Sequence, residues 1–254
     1  MPELFGIYRK EGLAPEQRAA FDRMRDALQM IRAGTVEVID EPWAMVGVMQ
    51  WRRYDKAVVL NESTYRCAWI GNEAVASASA AARYEPVSEF DQLKASPPFA
   101  GCVLDLQRRE FTLISDPFGF HPLYCAVNEA NVHVFASKLG AVAKSGVVAS
   151  SLDSTSIAQF MCYEHLLSGD PYDSDGSTMA LGIDRLPANA VVRGRTASRQ
   201  VDATLGPADH NRDEVASRLY TELSNSIREQ ASSSTRCAIN LSGGLDSPSI
   251  LGCA

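Results

Sequence analysis

Leu241-Ser242-Gly243-Gly244-Leu245-Asp246-Ser247 follows a short apolar run, residues 237–241, and leads into Pro248-Ser249-Ile250. The run reads as a buried-type strand, and Pro248 suits the first turn of a helix, where its missing N–H costs nothing. Two adjacent glycines let the backbone approach an anion closely and permit positive φ. The hydroxyls of Ser242 and Ser247, with the free amides of the helix start, can then surround phosphate oxygens. Asp246 would repel a bare phosphate, so its presence points to a magnesium ion bridging carboxylate and pyrophosphate. No Gly-Lys-Ser/Thr follows, and no lysine occurs after Lys144, so this is not a Walker loop. A nucleophile elbow would need Gly-x-Ser-x-Gly, which is absent here. The bland alternative is a Gly-Gly turn between a strand and a helix.

Upstream of the loop, residues 212–230 read as an amphipathic helix with Val215, Leu219, Leu223 and Ile227 at every fourth position. Asn211 and Glu214 are placed for a cap and capping box. Gly206-Pro207 breaks the pattern before it, so a boundary is expected near residue 205. The region before that mixes strands and helices. Residues 4–8 form a short strand, and residues 15–32 a helix with Phe21, Met24, Leu28 and Ile31 on one face. Apolar stretches at 44–49, 57–60 and 67–70 read as strands, and Ala-rich 74–83 as a helix. Strands at 99–106, 111–115, 123–127 and 132–136 are separated by segments that read as hairpin-like connections. Helices at 139–144 and 153–167 follow, the second presenting Ile157, Phe160, Met161 and Leu167, and a short strand closes the region at 190–192. No internal repeat is present.

The 254 residues carry 24 Lys+Arg against 31 Asp+Glu, a net charge of −7, which argues against a nucleic-acid binder. No apolar run approaches the ~20 residues of a membrane span, and the N-terminus lacks a secretory pattern. A cytoplasmic protein is the expectation, with no membrane and no nucleic acid among its partners. The cysteines (Cys67, Cys102, Cys125, Cys162, Cys237, Cys253) form no Cys-x-x-Cys pair and read as reduced core residues.

Ser242-Gly243-Gly244-Leu245-Asp246-Ser247 resembles the pyrophosphate loop of the N-type ATP pyrophosphatases, and the form with Leu before Asp is similar to that of the asparagine synthetase family. Three upstream segments extend the resemblance. Asp116-Pro117-Phe118-Gly119-Phe120-His121-Pro122-Leu123-Tyr124 is similar to that family's Asp-x-x-Gly-x-(Arg/Lys)-Pro-Leu-Tyr. Val134-Phe135-Ala136-Ser137-Lys138-Leu139 resembles its Phe-Ala-Ser-Glu-Leu. Ile183-Asp184-Arg185-Leu186-Pro187 resembles a segment near the end of the same domain.

The resemblance implies an α+β chain in two parts. Residues 1–205 would be a glutamine amidotransferase type 2-like domain, an N-terminal-nucleophile-like four-layer αββα sandwich. Residues 206–254 would be the first strand–loop–helix of an α/β, adenine-nucleotide α-hydrolase-like synthetase domain. It implies ATP and Mg2+ as cofactors. Leu241, Ser242, Gly243, Gly244, Leu245, Asp246 and Ser247 would be the ATP and pyrophosphate contacts, with Asp246 as the metal ligand. The implied reaction is ATP-dependent and AMP-forming: a carboxylate is adenylated, pyrophosphate leaves, and an amine attacks to give an amide. The carboxylate would be a small molecule or a peptide.

The sequence departs from that family at two places. Glutamine-dependent members begin Met-Cys-Gly-Ile, whereas the matching stretch here is Leu4-Phe5-Gly6-Ile7, with Phe5 at the nucleophile position. Glutaminase chemistry needs a nucleophile and a free α-amine as base, and a terminus at Pro2 supplies no thiol or hydroxyl. Only Gly71-Asn72-Glu73 is similar to the family's Asn-Gly-Glu, and its His-Arg-Gly-Pro-Asp segment is missing. The glutaminase is therefore expected to be dead, as in β-lactam synthetases and lasso peptide cyclases, which use an amine already in the substrate; free ammonia is equally open. Secondly, eight residues follow Asp246, so the chain reads as a fragment, or as a front half completed by a second polypeptide. The synthetase's catalytic residues would lie outside it. The alternative is a non-catalytic scaffold or split subunit that keeps the fold.

Other candidates read as structural. His121, His133, His165 and His210 are too dispersed for one site, although His121 replaces the family's basic residue. Asp170, Asp173 and Asp175 lack full calcium-loop spacing and read as a solvated loop.

Overall fold

The computed structural model describes residues 2–30, 34–51, 57–71, 99–116, 118–163, 176–188, 190–193, 196–199, 211–232 and 238–253. The chain divides into two compact units, Met1–Val201 and Asp202–Ala254. Among the described residues, no helix is long and apolar enough to cross a membrane.

The first unit is a mixed α/β structure built on two six-stranded antiparallel sheets. One sheet has the order β10-β8-β9-β1-β3-β2, formed by β1 (Glu3–Tyr8), β2 (Thr35–Glu41), β3 (Ala44–Gln50), β8 (Tyr124–Val127), β9 (His133–Ala136) and β10 (Asp184–Arg185). The other has the order β12-β11-β7-β6-β5-β4, from β4 (Ala57–Asn61), β5 (Tyr65–Gly71), β6 (Phe99–Asp105), β7 (Glu110–Ser115), β11 (Ala190–Arg193) and β12 (Thr196–Arg199). Period-two alternation assigns each face. Leu4 and Tyr8 of β1 join Val46, Val48 and Phe135 against Ala68, Ala100, Cys102, Leu104 and Leu113 of the second sheet, forming the core between the sheets. Phe5 and Ile7, at the intervening positions of β1, face the opposite way, toward the helices.

Those helices are α1 (Pro15–Gln29) and α2 (Leu139–Ser145). Pro15 opens α1, and the Gln17 side chain accepts the Ala14 amide at 2.6 Å. The helix buries Ala20, Phe21, Met24 and Leu28 with Phe5, Ile7, Met49, Ala141 and Val142. Each large apolar side chain so buried contributes about 1.5–3 kcal/mol. Gly146, at φ +71°, ends α2 in the left-handed conformation. Three layers of the expected four are thus described. The helix expected at residues 74–83 lies outside the described residues, as do Ile31 and Leu167.

Close packing inside the sandwich uses glycines beneath aromatic rings. Phe5 is paired directly across the strands with Gly47, and Trp69 with Gly101. A Cβ at either glycine would collide with the facing ring, so each ring lies down across its neighbour strand.

Four sequence expectations require correction. β2 was not anticipated: it is an edge strand in which only Ile39 is buried, so alternation is nearly invisible in its composition. Residues 116–123 do not form a hairpin. β7 pairs with β6 and β11 in one sheet, while β8 pairs with β9 and β10 in the other. The Pro/Gly-rich segment is therefore a crossover between sheets. In α3 (Ser154–Tyr163), Phe160 and Met161 are 46% and 80% exposed, whereas Ser156 is buried. Asp153 fixes that inward side by accepting from the Thr155 amide at 3.0 Å and the Ser156 hydroxyl at 2.6 Å. Cys162, on the same helix, is exposed and is not a core residue.

The second unit contains α4 (Arg212–Ser232) and α5 (Asp246–Cys253). The Asn211 side chain accepts the Asp213 amide at 3.1 Å, as an N-cap does. Residues 238–241 form no strand, and Ile239 and Leu241 are exposed. A strand exists only through pairing, and these residues pair with nothing among the described residues. The expected first strand of the synthetase domain is thus not formed.

Candidate functional site

The three upstream segments that carry the resemblance meet the start of β1 at one end of the sandwich. Asp116 follows β7 and is fully buried. Its Oδ1 accepts the amides of Phe118 (2.8 Å) and Phe120 (3.3 Å), and its Oδ2 that of His121 (3.2 Å). Three amides on one carboxylate fix the crossover loop, and Gly119 takes φ +63° within it. The 183–187 segment locks the loop from the other side. The Leu186 amide donates to the Leu123 carbonyl at 2.7 Å, and the Ser115 hydroxyl to the Pro187 carbonyl at 2.6 Å. The Arg185 guanidinium reaches the Gly119 carbonyl at 3.2 Å.

Ser137 and Lys138 follow β9, where they meet the first residues of β1. The Leu4 amide donates to Ser137 Oγ at 3.1 Å, and the Ser137 amide to the Leu4 carbonyl at 2.8 Å. The Ser137 hydroxyl donates to Glu3 Oε2, and Lys138 Nζ lies 3.3 Å from Glu3 Oε1. Burial pushes the Glu3 carboxyl upward against the opposing pull of Ser137, Lys138 and the amino terminus. Sequence reasoning missed Glu3. Its one signal was an acid leading the apolar stretch Leu4-Phe5-Gly6-Ile7, which can be buried only if partnered.

His121 is 4% exposed, and its ring makes no hydrogen bond among the described residues. Burial lowers its pKa from 6.5, with Lys138 and the amino terminus pulling the same way and Asp116 opposing. Between pH 6.5 and that lowered value the unfolded chain binds a proton that the folded chain does not. The stability His121 contributes is therefore whole above pH 6.5 and is lost as the pH falls through that window. Glu3, shifted the other way, contributes stability that declines as pH rises, so the comparison must isolate His121. The urea midpoint is expected to drop less between pH 7.5 and 5.5 in His121→Gln than in the parent. Equal drops would show that the imidazole does not matter.

Phe5, at the matched nucleophile position, is fully buried and stacks on Phe21 with ring centroids 4.8 Å apart. It lies in the helix-facing core, away from the inter-sheet space. No nucleophile can be offered from this position. Burial, helped by Asp184, pushes the Cys125 thiol up to about 11, and burial raises Cys67 and Cys102 as well, which makes these three poor nucleophiles.

In the second unit, Gly243 takes φ +78°, and the Ser242 and Ser247 hydroxyls stand 3.2 Å apart. The Gly244 amide points to Ser242 Oγ at 3.4 Å, and Asp246 is the first residue of α5. The first amides of that helix have no intrahelical acceptor. Leu241 and Leu245 are 60% and 87% exposed. Leu241, Ser242, Gly243, Gly244 and Leu245 thus form a bend that runs into Asp246 and Ser247 at the start of α5, exposed except for the half-buried Ser247.

Among the other candidates, His133 packs between Tyr8 and Phe111 at ring distances of 5.6 and 5.2 Å. His165, His210, Asn72, Glu73, Asp170, Asp173, Asp175 and Cys237 lie outside the described residues. Among the described residues, no group of three His, Cys, Asp or Glu could hold a metal ion.

Residues 90–144 match a family profile described as a glutamine amidotransferase domain. No curated protein matches the chain. Among solved structures, the chain is similar to the glutamine phosphoribosylpyrophosphate amidotransferase from B. subtilis complexed with ADP and GMP. That match has 11% identity and a TM-score of 0.45, and covers 78% of this chain and 49% of that one. A second is titled as the allosteric regulatory enzyme of purine biosynthesis, with 13% identity, a TM-score of 0.46, and coverage of 78% and 48%. The chain spans about half the length of these two proteins. The stretch matched by that profile contains β6 to β9 and the Asp116 crossover.

Proposed function

We propose that this chain belongs to an ATP-dependent, AMP-forming amide-bond synthetase of asparagine synthetase type, with an amidotransferase-like domain kept as scaffold and no longer hydrolysing glutamine. The observation that carries the ATP reading is the geometry of the 242–247 turn. A left-handed glycine, two converging hydroxyls and free helix amides are what a pyrophosphate group requires. Asp246 at the helix start is a hard oxygen donor of the kind magnesium prefers, so the residues present fit MgATP. The bound nucleotide would supply activation of a carboxylate. Ser242, Ser247 and the amides would hold the departing pyrophosphate, and Asp246 would hold the metal. The buried ring of Phe5 supports the loss of glutaminase activity. The amine is then ammonia or one already carried by the substrate, as in lasso peptide and β-lactam ring closure, where holding both ends together supplies much of the rate.

A specific observation favours a second reading, a non-catalytic scaffold or split subunit. The turn is exposed at residues 242–246, and residues 238–241 beside it have no strand partner among the described residues. Calorimetric titration of the full-length gene product with Mg-pyrophosphate and MgATP separates the two. Binding that weakens at least tenfold in Asp246→Ala, with the circular dichroism unchanged, supports the synthetase reading. Equal affinity in parent and variant, or no binding by either, leaves the scaffold reading. Ammonia release from glutamine would overturn the assignment of Phe5.

A further inference from the structure

The first six-stranded sheet ends at β2, and every residue of β2 from Thr35 to Glu41 is in register with β3 on one side only. On the other side, the amides and carbonyls of alternate residues have no acceptor or donor among the described residues. Seven residues make a long edge, and natural proteins seldom leave one uncovered without a device against pairing. Among the described residues, the device at this edge is charge. β2 carries Glu37, Asp40 and Glu41 and no basic residue. Arg18 holds Asp40 at 2.8 Å and Arg66 holds Glu41 at 3.5 Å, while Glu37 has no ion pair among the described residues. Val38, between these acids, is 40% exposed.

We propose that the open edge of β2 is a docking strand for an extended, lysine- or arginine-rich segment of another protein, which adds to the sheet as one further strand. Main-chain hydrogen bonds would supply the affinity, and alternate side chains the choice of partner. Charge complementarity selects that partner. A second copy would bring Glu37, the acid of β2 without an ion pair among the described residues, and a net charge of −7 against their like, which opposes self-pairing, whereas a basic strand meets opposite charge at Glu37 and is steered inward by that net charge. The inference is independent of the ATP reading.

The probe is the acetylated and amidated heptapeptide Lys-Val-Lys-Val-Lys-Val-Lys, compared with its fully N-methylated analogue, which keeps the charge but cannot donate main-chain hydrogen bonds. Amide hydrogen exchange is read across residues 35–41 of the intact chain. The unmethylated peptide is expected to slow exchange at alternate residues of β2 and to lose affinity as salt rises. Glu37→Lys is expected to weaken it about tenfold, while the N-methylated analogue gives no protection. Equal protection by both peptides would reduce the effect to charge adsorption and overturn strand addition. Absence of protection at 35–41 would overturn the docking site. Protection that grows with protein concentration and needs no peptide would assign the edge to a second copy instead.

Discussion

Phe5→Ala is expected to destabilise the first unit by about 3–5 kcal/mol, and Phe5→Cys by about 2–4 kcal/mol, without either variant releasing ammonia from glutamine. The ring is fully buried, stacks on Phe21 at 4.8 Å and lies across Gly47, its direct cross-strand partner. Truncation therefore removes contacts on both sides at once: against α1 on one side and against bare backbone on the other. Gly47 has no side chain with which to fill the space, so the cavity cannot close by a local rotamer change. The thiol of Phe5→Cys would lie among Ile7, Phe21, Met24 and Met49, where burial keeps it protonated. Urea denaturation of parent and variants checks the first half of this expectation. A coupled ammonia assay checks the second. A Phe5→Cys variant that is as stable as the parent would show that the ring is not a packing element, and one that hydrolyses glutamine would show that the site was merely missing its nucleophile.

What could be read from the sequence, and what could not, divides along the range of the interactions involved. α1 was legible because Phe21, Met24 and Leu28 fall on one face within a few turns and Pro15 marks its start. β6, β7 and β9 were legible because their apolar runs are bounded by turn residues. β2 was not, since an edge strand needs only one buried side chain, Ile39, and a stretch such as Thr35-Val36-Glu37-Val38 could equally be a loop. The segment after β7 misled for a related reason. A Pro- and Gly-rich link between two strands looks the same whether the strands pair or part. Pairing of β8 with β10, near residue 184, settles the matter, and nothing within the link encodes that. The same limit hid Glu3. Its partner Ser137 stands 134 positions away, so a sequence shows the acid without the hydroxyl that makes its burial tolerable. At the 242–247 turn, the residue types carry the proposed phosphate-binding reading, but the expected neighbouring strand was a statement about pairing, and pairing is not a property of residues 238–241 alone.

Asp116→Ala is expected to be as damaging as any truncation in the apolar core, about 3–5 kcal/mol, although it removes only a polar side chain. The carboxylate is fully buried and satisfies the amides of Phe118, Phe120 and His121. Each donor left without a partner costs about 1–3 kcal/mol. Alanine would strand all three, the buried His121 amide at the greatest cost and the part-buried Phe118 and Phe120 amides at less. The Asn substitution separates charge from geometry. Its carboxamide oxygen can keep the Phe118 and Phe120 amides, but its NH2 would then face the His121 amide, donor against donor. Asp116→Asn should therefore cost about 1–3 kcal/mol, between parent and Ala. The crossover is also where the Arg185, Leu186 and Pro187 contacts anchor β10. Loss of Asp116 should accordingly speed amide exchange at residues 118–124 and at 184–186 together, while leaving α1 unaffected short of global unfolding. If exchange quickens at the loop alone, the 183–187 segment is held by its own contacts. If Asp116→Ala unfolds at the urea concentration of the parent, the three hydrogen bonds are replaceable and the crossover is not the clasp that these distances indicate.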